Sequence, residues 1–150
     1  MTIRWMQLQD LDSVMIIEMA SFATPWLYSS FENELLMNNL AHYLVCEVDG
    51  AIAGYIGCWH VMDEGHITNV AVHPDYRRKG VAKALILSLM DFAHSVKISA
   101  LTLEVRVSNH EAIQLYKGFG FVPHGVRPKY YQDTQEDALI MWASIQGENQ

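Results

Sequence analysis

The segment that most limits what this chain can fold into runs from Val70 to Val107. It opens with the apolar run Val70-Ala71-Val72, crosses a Pro74-Asp75 turn and the basic trio Arg77-Arg78-Lys79, and enters a helical pattern at Gly80. The helix is expected to reach about Lys97. Lys83, Asp91, His94 and Ser95 share one narrow polar arc, while Val81, Leu85, Ile86, Leu89 and Phe92 cover the remainder, as in a helix mostly buried on a sheet. Leu101 to Val107 then alternates as a strand, with Leu101, Leu103, Val105 and Val107 on one face and Thr102, Glu104 and Arg106 on the other. Strand, helix, strand implies a parallel pair joined by a right-handed crossover.

The flanking segments extend this unit into one layered sheet. Strands are expected at Thr2 to Gln7, His42 to Val48, Ala51 to Trp59, Gly65 to His73, Phe121 to Val126 and Ala138 to Ile145. Asp49-Gly50 is a strong hairpin signal between the second and third of these. Asp10 is the expected N-cap of a helix to about Ser21 with Leu11, Val14, Met15 and Met19 on its apolar side. Ser29-Ser30-Phe31-Glu32 has capping-box spacing and opens a helix to about Met37, and Asn109 to Lys117 forms another. The expected fold is a mixed α/β (α+β) sheet of about seven strands with helices on both faces, in a single domain over residues 1–150.

Composition narrows the function. The formal charge of -7 opposes binding to nucleic-acid phosphates and suits a cationic partner. Met1-Thr2-Ile3-Arg4-Trp5 shows no leader pattern and no run approaches the ~20 apolar residues of a membrane span, so a cytoplasmic location without membrane contact is expected. Cys46 and Cys58 form no CxxC pair and read as buried free thiols. His110-Glu111-Ala112-Ile113-Gln114 begins like a zinc motif but has Gln114 where the second histidine belongs, so no metal is expected.

The turn itself carries chemistry. A helix start leaves unpaired N–H groups and a partial positive charge, which together suit a diphosphate. Gly80 and Ala82 would admit a phosphate close to the backbone, and Arg77, Arg78 and Lys79 surround it with charge. The plain alternative is a solvated surface turn. On the strand after the helix, Glu104 is costly to bury unless paired or wet. It reads either as an ion-pair partner of Arg106 or as a general base facing a cleft.

Arg77-Arg78-Lys79-Gly80-Val81-Ala82, after Val70-Ala71-Val72, resembles the Arg/Gln-x-x-Gly-x-Gly/Ala signature of the GNAT family of N-acetyltransferases, and the resemblance extends over nearly the whole chain. It implies the GNAT fold and acetyl-CoA as co-substrate. It also implies contacts to the coenzyme from Val70, Ala71, Val72, Arg77, Arg78, Lys79, Gly80, Val81, Ala82, Lys83, Asn109 and Tyr116. Within the family, Leu103-Glu104-Val105-Arg106, Asn109, Tyr116, Pro25-Trp26 and Tyr130-Tyr131 resemble the bacterial RimI type, which acetylates the N-terminal alanine of a ribosomal protein. That implies Glu104 as general base, Tyr116 as general acid, and Pro25, Trp26, Tyr28, Asn69, Tyr130 and Tyr131 around the acceptor. Glu64 and His66 are second candidates for the base.

An α-amine acceptor suits a lone carboxylate. At neutral pH it is roughly a tenth neutral, against about one part in two thousand for lysine. Acetylation of a small-molecule amine or a lysine, and a catalytically silent acyl-CoA-binding module, are the alternative functions.

Overall fold

The computed structural model describes residues 1–145. Seven strands form one sheet: β1 (Thr2–Trp5), β2 (Ala41–Val48), β3 (Ala51–Val61), β4 (Glu64–Val72), β5 (Ala100–Arg106), β6 (Val122–Tyr131) and β7 (Glu136–Ser144). Their order is β1-β2-β3-β4-β5-β7-β6, and every neighbouring pair is antiparallel except β4 and β5. The helices are α1 (Leu11–Ser21), α2 (Tyr28–Leu36), α3 (Val81–Ser95) and α4 (His110–Gly118).

Strand alternation sorts the core into two layers. Tyr43, Val45, Tyr55 and Ala71 pack with Leu11, Val14 and Ile17 of α1 and Phe31 of α2. Their alternates Leu44, Cys46 and Ile56 pack with Leu85, Ile86 and Leu89 of α3 and with Ile113 and Tyr116 of α4. The helices therefore lie on both faces, and both thiols are buried. At the β2–β3 turn Asp49 and Gly50 have φ of 51° and 81°, the left-handed pair that a two-residue hairpin needs.

Local expectations fail where a distant partner competes. Asp10 gives α1 no side-chain cap, because Arg4 Nη1 and Nη2 donate to its carboxylate at 2.8 and 2.9 Å and the Gln7 N–H donates at 2.7 Å. α2 starts at Tyr28 with no side-chain cap, so Ser29 falls inside the first turn and the Ser29/Glu32 spacing is not a capping box. Met19 is 67% exposed, and the inward face of α1 is instead Leu11, Val14, Ile17 and Glu18. β6 continues five residues past Val126 to Tyr131. Nearly all of this edge strand is exposed, so no apolar alternation marked its length.

The parallel pair positions the site. β4 and β5 are in register only at Glu64↔Ala100, Gly65↔Leu101 and His66↔Thr102, and beyond that the strands diverge. β5 therefore has β7 beside it from Ala100 to Arg106 but β4 only as far as Thr102. Against β3, β4 shifts register between Gly57↔Asn69 and Cys58↔Ile67, leaving Thr68 as the extra residue of a bulge, which bends β4 where the gap opens. Gly57 permits this crossing: a Cβ there would stand 2.2 Å from the Tyr43 ring and 2.7 Å from Thr68 Oγ1.

Candidate active site

Between the diverging ends of β4 and β5 lies a cavity of about 1040 Å³. One wall is the free edge of β4. His73 N–H donates to the Ala53 carbonyl at 2.7 Å, which makes 53 and 73 a bonded pair in the β3–β4 ladder. By the alternation of an antiparallel ladder, Val70 and Val72 then turn their N–H and C=O groups toward the gap and Ala71 turns its own toward β3. Arg77 Nε takes the Val72 carbonyl at 3.1 Å.

The end wall is the start of α3. A 3-10 turn, Pro74–Tyr76, is capped by His73 Nδ1, which accepts from Asp75 N–H at 3.0 Å. Arg78 and Gly80 then both adopt left-handed φ, 61° and 83°. Gly80 flanks the helix without any side-chain cap, so the first N–H groups of α3 are unclaimed by side chains, and Gly80, Val81, Ala82 and Lys83 all border the cavity. An added Cβ at Gly80 would meet no protein atom within 4 Å, so within the protein itself it is the φ of 83° that calls for glycine. Arg77 and Arg78 also border the cavity, whereas Lys79 sits over the Tyr76 ring at 5.7 Å and does not. Alternating left-handed positions leading to a helix N-terminus make an anion-binding concavity.

The third wall comes from β5, α4 and the β6–β7 hairpin. Glu104 borders the cavity, partly buried, and its partner is Arg127 Nη2 at 3.8 Å. The pairing with Arg106, one of the two readings of Glu104, does not form. Arg106 turns to Asp133 at 2.8 Å and Glu136 at 3.5 Å, with its guanidinium 4.0 Å from the centre of the Tyr131 ring. The Glu104–Arg127 contact is long and open to solvent, and its other oxygen, Oε1, makes no hydrogen bond among the described residues.

Tyr116 is buried against Phe121, and burial, reinforced by Tyr131, pushes its phenol up to about 12. Tyr131 is likewise pushed up to about 12, chiefly by burial, and packs edge-on to Tyr130. Asn109 caps α4 by accepting from Ala112 N–H at 3.2 Å and borders the cavity.

The acceptor-side residues divide. Trp26, Asn69, Tyr130 and Tyr131 border the cavity, while Pro25 and Tyr28 do not. Asn69 Oδ1 accepts from Thr68 Oγ1 at 2.9 Å, and its Nδ2 is buried without a partner among the described residues. Glu64 and His66 bond each other at 3.1 Å and stand outside the cavity wall. Sequence reasoning missed Glu18, which also borders the cavity. The available signal was a carboxylate at i, i+3, i+7 spacing with Leu11 and Val14, on the buried face of a helix.

Residues 5–121 match the acetyltransferase (GNAT) family. The chain belongs to that family. A Bacillus subtilis protein provisionally named a ribosomal protein bS18-alanine N-acetyltransferase is 50% identical over 95% of both chains. The ribosomal protein bS18-alanine N-acetyltransferase of Escherichia coli K12 is 36% identical over 93% of this chain and 95% of its own. Among solved structures, the Escherichia coli ribosomal-protein-S18-alanine N-acetyltransferase superposes with a TM-score of 0.89 at 35% identity, covering 99% of this chain and 97% of that one. Ard1 from Thermoplasma volcanium gives 0.88 at 29% identity, covering 97% of each. The seven-stranded mixed sheet is thus the GNAT fold, and no helix of this GNAT chain among the described residues is long and apolar enough to cross a membrane.

Proposed function

We propose that this protein transfers the acetyl group of acetyl-CoA to the N-terminal α-amine of a ribosomal protein, the terminal alanine of bS18. The observation that carries this reading is the single cavity running from the uncapped start of α3, along the free edge of β4, to Glu104 and Tyr116. The likeness to bS18-alanine acetyltransferases over nearly the full chain supports the choice of acceptor.

In this reading the α3 N-terminus, with Arg77, Arg78 and Lys83, holds the pyrophosphate, and Val70 and Val72 bond the pantetheine arm as a neighbouring strand would. Trp26, Asn69, Tyr130 and Tyr131 hold the acceptor terminus. Glu104 takes the proton of the attacking α-amine, directly or through a water, and negative charge then moves to the departing sulfur. Tyr116 faces that charge as a donor. With its pKa pushed up to about 12, the phenol is a weaker acid than an ordinary thiol of about 8.5, so it stabilises the thiolate first by hydrogen bonding and gives up its proton late.

The test is incubation with acetyl-CoA and a peptide copying the bS18 N-terminus, following free thiol and peptide mass. Equal release of thiol and gain of one acetyl group at the α-amine is expected. Turnover confined to small amines or to lysine side chains would overturn the reading, and coenzyme binding with no turnover of any amine would point to a silent binding module.

A further inference from the structure

The α1–α2 connection, residues 22–27, borders the acceptor end of the cavity through Phe22, Thr24 and Trp26. It has no regular secondary structure to hold it in place. One residue clasps it at both ends. The Glu18 main-chain carbonyl accepts from Phe22 N–H at 3.1 Å where the helix stops, and its side-chain Oε2 accepts from Trp26 N–H at 2.8 Å where the loop re-enters the fold.

The second carboxylate oxygen, Oε1, accepts from the Tyr55 phenol. Tyr55 is fully buried on β3, directly opposite Ala71 of β4. Glu18 is itself only 2% exposed, and no cation pairs with it among the described residues. A carboxylate so deeply buried is costly unless its oxygens are bonded; here one bond runs to Trp26 of the cavity wall and the other to the buried Tyr55 phenol behind it. Ala23, Thr24 and Pro25 form an arc between the two clasped points.

We propose that Glu18 is the positioning residue of the acceptor pocket. By tying the Trp26 amide to the Tyr55 phenol it fixes the Ala23-Thr24-Pro25 arc, and with it the space available to the acceptor's first side chain. The pocket-size consequence rests on the N-terminal acetylation reading, whereas the clasp does not. Glu18 touches no reacting atom in this role. Loosening it widens the range of first residues accepted and raises the peptide KM, leaving the coenzyme end unchanged.

Four proteins test this: the parent, Glu18→Gln, Glu18→Ala, and Glu18→Ala combined with Tyr55→Phe. The last removes the phenol that the single alanine variant strands and so guards against misfolding. Two readouts are taken: amide hydrogen exchange over residues 22–27, and the ratio of kcat/KM for peptides beginning with alanine and with leucine.

Glu18→Gln keeps one oxygen to accept from Trp26 N–H, and its NH2 can donate to the Tyr55 phenol oxygen in a reversed bond, so it is expected to match the parent. Both alanine variants are expected to exchange the Trp26 amide about tenfold faster and to lose about tenfold of the alanine preference, with the acetyl-CoA KM within about twofold. Unchanged exchange at Trp26 in the folded double variant overturns the clasp. Faster exchange with an unchanged alanine-to-leucine ratio overturns the positioning role. If the parent acetylates no peptide at all, the N-terminal reading falls, and Trp26 exchange alone still decides the clasp.

Discussion

The two ends of the cavity are made of different material. The end at α3, where the proposed function seats the diphosphate, is main chain: the N–H groups opening α3, the left-handed Arg78 and Gly80, and the outward-facing groups of Val70 and Val72. The opposite end, where the proposed function puts the reaction and the acceptor, is side chain: Glu104, Tyr116, Tyr131 and Trp26, drawn from β5, α4, β6 and the loop before α2. Main chain can grasp a group common to many substrates with almost any side chains attached, so the first end depends on conformation. On the proposed function the second end depends on residue identity, because a proton must move to or from a particular atom.

That contrast is sharpest in single substitutions. Glu104→Gln, nearly isosteric, is expected to lower kcat about a hundredfold, and Tyr116→Phe somewhat less, each with coenzyme affinity nearly unchanged by titration calorimetry. A Glu104→Gln protein with parental kcat would move the base to a solvent relay. At the phosphate end Gly80→Val, which forces a β-branched residue to φ of 83°, is expected to weaken coenzyme binding about tenfold with kcat little changed at saturation.

Arg78→Ala and Lys79→Ala should each raise the coenzyme KM only about two- to threefold. The Arg78 side chain is 86% exposed and Lys79 stands off the cavity, so both act through screened charge. A larger loss than that for Gly80→Val would show that side chains, not main chain, hold the diphosphate.

The smallest effect concerns alkali. Tyr116 and Tyr131 are raised in the folded chain from about 10 to about 12, so the neutral phenol is present in both folded and unfolded states below pH 10. Above it the unfolded chain ionises first, and stability falls as pH rises toward 12. Thermal melts across that window should show the decline, and it should shrink in Tyr116→Phe. Since the acid must be protonated to act, no fall in kcat from Tyr116 is expected below pH 10.

The same division explains what could be read in advance. The strand-to-helix turn was legible because a strand end, a Pro/Asp turn, a glycine and a helix start lie in consecutive residues, and local conformation alone makes the turn. Hydrophobic periodicity and end signals likewise marked four helices and seven strands, faltering at the start of α2, whose capping box does not form, and on β6, where exposure erased the pattern. That Glu104 and Tyr116 border one cavity was legible through resemblance to a family, but the choice of Arg127 over Arg106 as the neighbour of Glu104 was not. β6 had to be placed beyond β7, twenty-three residues along the chain, before that guanidinium came near.

By itself the sequence determined the elements, their sorting into two helical layers, and the turn that leads into α3, since each follows from periods and backbone preferences acting over a few residues. Tertiary structure decided the rest. Only three residues of β4 and β5 stay in register, a bulge at Thr68 bends the strand away, and Glu18 reaches forward eight residues to one amide and thirty-seven to one phenol. Such contacts depend on which strands end up adjacent and how far they stay paired, a balance of packing across the whole sheet that no short stretch of chain encodes.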